Sequence, residues 1–107
     1  MKKLKFKEHF VESVLSGEKD STWRLFDDKN LQVGDKLEFI NASDGKEFAN
    51  AEILSVIEKK LGEIQEDDFE GHEKFKSLEE MYETYKKYYG DEVNSKTSVK
   101  IIKFKLL

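Results

Sequence analysis

The sequence predicts an α+β domain in which a small, strongly bent sheet or barrel is flanked by helices. Five short segments have the apolar patterning of strands, and turn residues separate them. Two further segments carry apolar residues at helical spacing, and each is followed by a glycine. A chain of 107 residues is typical of a single domain with one core, so we expect one domain over residues 1–107.

The first half of the chain is predicted to run strand, helix, strand. Residues 3–7 alternate basic and apolar side chains, as a half-buried strand does. Residues 10–15 place apolar side chains at helical spacing, and Gly17 stands where a helix end favours a left-handed residue. Residues 21–26 again have the composition of a strand.

The middle of the chain is predicted to form a hairpin and then an acidic connection. Strands over residues 36–40 and 48–57 are joined by Asp44-Gly45, a strong hairpin signal. Residues 61–76 are acidic and have no regular pattern. Such runs are usually solvated, although this one also provides carboxylates that could face a functional site.

The last third is predicted to be a helix and a strand. Ser77 and Glu80 have the spacing of a capping box, and a tyrosine-rich apolar stripe follows as far as Gly90. Residues 99–107 form the final strand, whose apolar parity changes at Ile101-Ile102. The change indicates either a bulge or a strand buried on both faces. Because this strand and the first one both alternate lysines, we expect them to lie side by side.

Composition narrows the classes of function. The formal net charge is −4, which argues against a protein held on nucleic acid by its overall charge, although a small basic cleft would be compatible with it. There are no cysteines and only two histidines, so we predict no metal and no cofactor. His72 is expected to be exposed in a loop, and His9 is expected either to cap the first helix or to face solvent. No apolar run suits a membrane span or a secretory signal, which predicts a soluble cytoplasmic protein.

The most informative segment is Gly17-Glu18-Lys19-Asp20-Ser21-Thr22-Trp23-Arg24, at the predicted junction of a helix and a strand. Lysine is a tunable base, threonine a nucleophile, and arginine an anion ligand. On a strand Thr22 and Arg24 share one face, while Trp23 points inward. The alternative is a solvated sheet edge with no function, with Trp23 serving only the core.

The spacing Gly17-x-Lys19-x-x-Thr22-x-Arg24 resembles the G-x-K-x-x-T-x-R signature of ASCH domains, in the PUA-like superfamily. The order of elements around the motif is similar as well, so the resemblance covers nearly the whole chain. It implies a small PUA-like β-barrel of five to six strands with two or three flanking helices. A cleft would lie above the motif.

The family resemblance also implies a function. ASCH domains are regarded as RNA-binding or nucleotide-recognising modules, and one branch of small bacterial members hydrolyses the acetyl amide of N4-acetylcytidine without a metal. Carried onto this chain, the catalytic residues of that branch are Lys19, Thr22 and Glu73, with Glu70 as the competing loop carboxylate. Gly17, Trp23 and Arg24 are the expected ligand-binding residues.

Two hypotheses of different class therefore stay open at the level of sequence, beside a third in which an ASCH-like fold serves only for protein contacts. The first is an amidohydrolase acting on a modified nucleoside, and the second is a non-catalytic module that binds a nucleotide or RNA. The expected partner is a nucleoside, nucleotide or RNA and not a membrane, and the expected state is a monomer or weak dimer.

Overall fold

A computed structural model describes all residues, 1–107. The strands are β1 (Lys2–Phe6), β2 (Ser21–Leu25), β3 (Lys36–Asn41), β4 (Glu47–Lys60) and β5 (Ser98–Leu106). The helices are α1 (Glu8–Ser16), between β1 and β2, and α2 (Leu78–Tyr89), between β4 and β5. Two short 3₁₀ turns, Leu61–Glu63 and Glu66–Phe69, lie in the acidic connection.

The five strands form one curled sheet, a half-barrel, in the order β1-β3-β4-β5-β2. Only β1 and β3 are parallel, and every other pair is antiparallel. The predicted α+β class with a small barrel-like sheet and flanking helices is therefore confirmed. β4 is long enough to pair with β3 along its first half and with β5 along its second half.

The predicted pairing of the first and last strands is wrong. β1 pairs with β3, whereas β5 lies between β4 and β2. The lysine alternation shared by β1 and β5 indicates that each strand has a solvent face, but it carries no information about the partner strand. Parallel pairing of β1 with β3 requires a crossover, which α1 and β2 provide.

β5 divides the apolar interior into two clusters. Ile102 is buried among side chains of β1, β3 and β4, and Ile101 is buried among side chains of β2 and α2. The parity change therefore reflects a strand buried on both faces, which was one of the two predicted explanations. The sheet does contain a bulge nearby, but it lies in β4, where the register shifts between Ile53 and Ser55.

The helix termini follow the predicted capping residues. Gly17 follows α1 with a φ of 88°, in the left-handed region. The Ser77 side chain accepts a hydrogen bond from the Glu80 backbone N–H at 3.1 Å, as an N-cap residue does. Neither helix is long and apolar enough to cross a membrane.

Candidate functional site

The turn between α1 and β2 directs Lys19 into the protein. The N–H of Gly17 donates to the Val14 carbonyl at 3.2 Å, and the N–H of Lys19 donates to the Ser13 carbonyl at 2.9 Å. These bonds reverse the chain directly after the helix. The Lys19 side chain is 5% exposed, so the reading of this segment as a solvated edge is wrong for the lysine.

The buried Lys19 side chain forms an ion pair with Glu73, whose side chain is 33% exposed. Its Nζ donates to Glu73 Oε1 at 2.5 Å, across 54 residues of sequence, and lies 4.9 Å from the centre of the Phe10 ring. Desolvation by burial lowers the pKa of Lys19 below its ordinary value, and Glu73 opposes part of that shift by stabilising the ammonium. Arg24 adds a smaller lowering effect because it is a second positive charge.

Gly71 determines which acidic residue meets Lys19. Its carbonyl accepts hydrogen bonds from the backbone N–H groups of both Asp20 and Ser21 at 3.1 Å. These bonds anchor the acidic connection to the motif turn, which we define as residues 17–21. Glu73, two residues later, then points at the lysine. Glu70 lies on the other side of this anchor, where its side chain is 80% exposed and 3.8 Å from Lys103. The structure thus places Glu73, and not Glu70, beside Lys19.

The prediction that His72 lies at the surface is wrong. Its ring is buried and stacks on Trp23, with 4.3 Å between the ring centres and 18° between their planes. Its Nδ1 is 2.7 Å from the Glu73 carbonyl, and because a carbonyl only accepts, Nδ1 carries the proton. Desolvation by burial and then the charge of Lys19 lower the pKa of His72 to about 4, so the imidazole is neutral at neutral pH.

Sequence reasoning missed His72 because a lone histidine in an irregular acidic segment carries no periodicity. The one signal available in the sequence was the preceding glycine, Gly71, since glycines often mark turns. In the structure Gly71 has a φ of 73°, and the turn there brings the segment back to the sheet. His9, by contrast, is exposed on α1, as expected.

Thr22 and Arg24 share one face of β2, as the strand alternation predicts. Arg24 Nε donates to Thr22 Oγ1 at 3.2 Å, and Arg24 Nη2 donates to the Lys5 carbonyl at 2.9 Å. The guanidinium carbon lies 4.9 Å from the centre of the Phe6 ring. Arg24 is therefore fixed by three contacts, and it holds a positive charge against the threonine hydroxyl.

These side chains line one cavity of about 360 Å³, within the range of small-molecule sites. Lys19, Thr22 and Glu73 all contribute to its wall, together with Arg24 and Trp23. Gly17 does not line the cavity, and its role in the structure is to end α1. The expected catalytic residues are thus brought together, whereas one expected ligand-binding residue stands apart.

The aromatic part of the wall comes from both helices and the sheet. Trp23 is 3% exposed, and His72 covers one face of its ring, which leaves little of it for stacking on a ligand. Tyr88 is 43% exposed and lines the same cavity, so it offers a more accessible ring. Tyr88 falls outside the tyrosine-rich stripe that the sequence indicated, because its neighbour Tyr89 fits the helical spacing.

The cavity is basic although the protein is acidic. Its lining holds one carboxylate, Glu73, and five cationic side chains: Lys5, Lys7, Lys19, Arg24 and Lys87. The chain as a whole has 19 basic and 23 acidic residues. The lysines at positions 5 and 7 were visible in the sequence as the polar face of the first strand, but nothing there showed that this face borders a cavity.

Backbone N–H groups of the motif turn have no free capacity for a ligand. Those of Gly17 and Lys19 donate to backbone carbonyls of α1, and those of Asp20 and Ser21 donate to the Gly71 carbonyl. The N–H of Glu18 faces the Ser16 hydroxyl at 3.4 Å. A developing negative charge in the cavity would therefore rely on side chains, and Arg24 is a cation that is hydrogen-bonded to Thr22 Oγ1. No three acidic or histidine side chains converge as a metal site would need.

The fold is similar to those of several solved structures. No protein-family model and no curated protein matches the sequence significantly. Among solved structures, the hypothetical protein PH0355 is 25% identical, with full coverage of both chains and a TM-score of 0.76. An ASCH domain from Lactobacillus crispatus is 25% identical over 90% of this chain and 69% of its own, with a TM-score of 0.69.

A more distant structure has the same architecture. Protein EF3133 from Enterococcus faecalis, assigned to the DUF984 family, is 15% identical, which supports the fold alone. It covers 92% of this chain and 70% of its own, with a TM-score of 0.75. The overall fold of this chain is therefore similar to that of these neighbours, among them an ASCH domain, and the chain resembles a small ASCH-like protein.

Proposed function

We propose that this protein hydrolyses the acetyl amide of an N4-acetylcytidine-type modified nucleoside, with Lys19, Thr22 and Glu73 as the catalytic residues. The observation that carries the proposal is the ion pair of the buried Lys19 with the half-buried Glu73, formed across 54 residues of sequence in the cavity that Thr22 also lines. A desolvated lysine loses proton affinity and becomes a usable base near neutral pH.

The pair supplies both an acid and a base from one shared proton. When the proton lies on Glu73, Lys19 is neutral and accepts a proton from a hydroxyl, while the protonated Glu73 donates to a leaving group. The contact of 2.5 Å lets this proton move between Nζ and Oε1 without rearrangement. His72 holds the loop carboxylate in place through the Glu73 carbonyl and stays neutral itself.

The first chemical step is acyl transfer to Thr22. Lys19 accepts the hydroxyl proton as Thr22 Oγ1 attacks the acetyl carbon, the carbon–nitrogen bond breaks, and Glu73 protonates the cytidine N4. The products are cytidine and a threonine acetyl ester. The proton on Lys19 then returns to Glu73 along their hydrogen bond, which leaves Lys19 neutral again. Water attacks the ester carbon while Lys19 accepts its proton, the bond from that carbon to Thr22 Oγ1 breaks, and Glu73 protonates Oγ1. Acetic acid leaves and ionises to acetate, and the threonine hydroxyl is restored.

Arg24 has two roles in this scheme. Its Nε–H bond to Thr22 Oγ1 favours the deprotonated oxygen, which a hydroxyl needs to be an effective nucleophile. Its charge also stabilises the oxyanion of the tetrahedral intermediate, since the backbone N–H groups of the motif turn are already bonded.

The test is turnover of N4-acetylcytidine, followed by absorbance, in the unmodified protein and in Lys19→Ala. We expect the rate to fall by roughly 10²–10⁴-fold in the variant, the usual contribution of a general base. Lys59→Ala is the matched control, because Lys59 also forms a lysine–carboxylate pair, with Asp68 at 2.9 Å, but does not line the cavity. Turnover that survives Lys19→Ala contradicts the mechanism.

A second candidate is recognition without catalysis, in which the same cavity binds a nucleotide or RNA. The bonded backbone N–H groups favour it, because an amidohydrolase usually has a dedicated oxyanion hole and here only side chains remain. Absence of N4-acetylcytidine turnover together with saturable binding of cytidine nucleotides would establish this candidate. If no nucleoside, nucleotide or short RNA binds at physiological salt, both candidates are wrong.

A further inference from the structure

Three of the five cations that line the cavity have no anionic or hydrogen-bonding partner in the protein. Lys19 is bonded to Glu73, and Arg24 is bonded to Thr22 and Lys5. The side chains of Lys5, Lys7 and Lys87, in contrast, make neither an ion pair nor a hydrogen bond, as the contacts of the whole chain show. Like charges gathered around one cavity destabilise each other unless an anion neutralises them.

These three lysines come from different elements that meet at the cavity mouth. Lys5 belongs to β1, Lys7 links β1 to α1, and Lys87 lies in the last turn of α2. All three are exposed, whereas Lys19 and Thr22 are buried in the same cavity. The cavity is therefore polar and reactive at its floor and cationic at its rim.

Tyr88 lies at this rim as well. Its ring is 5.2 Å from Lys7 Nζ, and it is the most exposed aromatic side chain of the cavity wall. A planar base against an aromatic ring with a phosphate nearby is a recurring arrangement in nucleotide recognition. The rim thus combines a stacking surface with unpaired positive charge.

We propose that Lys5, Lys7 and Lys87 form a phosphate subsite, so that the preferred ligand is a phosphorylated nucleoside. This proposal adds a phosphate site to the proposed function, and it rests on that function in one respect: the cavity binds a nucleoside. The acyl group lies at the floor, against Lys19 and Thr22, while the base stacks on Tyr88 and the phosphate lies at the rim. The phosphate belongs either to a free nucleotide or to an RNA strand.

The experiment is calorimetric titration of the full chain with three unreactive ligands: cytidine, cytidine 5′-monophosphate, and a cytidine-centred trinucleotide without terminal phosphates. We expect at least one phosphorylated ligand to bind about tenfold to a hundredfold more tightly than cytidine, the range for charge-assisted hydrogen bonds. The tighter of the two identifies the source of the phosphate. Its affinity falls with added salt, whereas that of cytidine does not.

Variants locate the subsite. The triple substitution Lys5→Gln, Lys7→Gln, Lys87→Gln removes the preference for phosphate. The control Lys46→Gln, Lys96→Gln, Lys105→Gln changes the net charge equally at three exposed lysines outside the cavity and preserves it. Equal binding of all three ligands, no binding of any, or a preference that survives the first triple substitution overturns the proposal.

The outcome is separable from that of the proposed function. Hydrolysis of N4-acetylcytidine without a phosphate preference refutes the subsite alone. A phosphate preference without hydrolysis supports the subsite and refutes the amidohydrolase.

Discussion

At the scale of single residues, the site depends on Lys19, which is buried away from water but paired with the charged Glu73. Burial lowers the pKa of Lys19, and the Glu73 carboxylate raises it in part. The two effects oppose each other within one contact. The pKa of Lys19 is therefore sensitive to any change in Glu73, so titration of Lys19 measures the interaction between the two side chains.

Replacing Glu73 by glutamine lowers the pKa of Lys19 further, because the carboxylate that stabilises the ammonium is removed while the burial remains. NMR titration of the Lys19 side-chain signals measures the shift without any substrate. Glu70→Gln is the matched control, since the Glu70 carboxylate is largely exposed and near Lys103 instead. An unchanged Lys19 titration in Glu73→Gln would contradict the assigned pairing.

His72 makes stability depend on pH. Its pKa is about 4 in the folded protein and about 6.5 in an unfolded chain, so the unfolded state binds more protons between these values. The contribution of His72 to the free energy of unfolding is therefore largest above pH 6.5, and it falls by about 3 kcal/mol as the pH drops to about 4.

Substitution of His72 by phenylalanine removes this contribution and retains a ring against Trp23. Urea unfolding of His72→Phe should show a smaller loss of stability between pH 6.5 and 4.5 than the unmodified protein shows. His9→Gln, at the exposed histidine, should leave the loss unchanged. An identical pH dependence in His72→Phe would mean that His72 is not buried neutral.

At the scale of elements, the acidic connection between β4 and α2 is positioned by one glycine. Gly71 has a φ of 73°, and its carbonyl accepts two N–H groups at the start of β2. A β-carbon at this position would overlap the Asp20 carboxylate Oδ1. The close approach and the left-handed backbone both require glycine here, and they set the position of His72 and Glu73.

Gly71→Ala should therefore destabilise the protein more than Gly45→Ala. Gly45 has a nearly equal φ of 74°, but a β-carbon there meets nothing within 4 Å. The control carries only the left-handed strain, roughly 1–2 kcal/mol, and Gly71→Ala adds the overlap with Asp20, roughly another 1–3 kcal/mol. Chemical denaturation measures both, and equal losses would show that the connection is not anchored at Gly71.

At the scale of the whole molecule, one sheet serves two apolar clusters and a cavity. β5 contributes Ile102 to one cluster and Ile101 to the other. The cavity lies where β1, β2 and α2 approach each other, and it gathers cations on a protein of net charge −4. An acidic body with a basic cavity directs anionic ligands to one place on the surface.

Because both clusters share β5, they should unfold together. Ile102→Ala should cost about 2–5 kcal/mol, the usual range for a large buried side chain. Trp23, the single tryptophan, reports on the other cluster, so its fluorescence should shift to the same lower denaturant midpoint as far-UV circular dichroism. A fluorescence transition that stays at the original midpoint would show that the clusters are independent.

The sequence by itself determined the class of fold, the order of elements and the motif, because these depend on local patterns. Strand alternation put Thr22 and Arg24 on one face, and Gly17 and Ser77 marked the helix ends. Only the tertiary structure decided what meets across long separations. The pairing of β1 with β3, the burial of His72 and the contact of Lys19 with Glu73 depend on chain reversals, which periodicity does not encode.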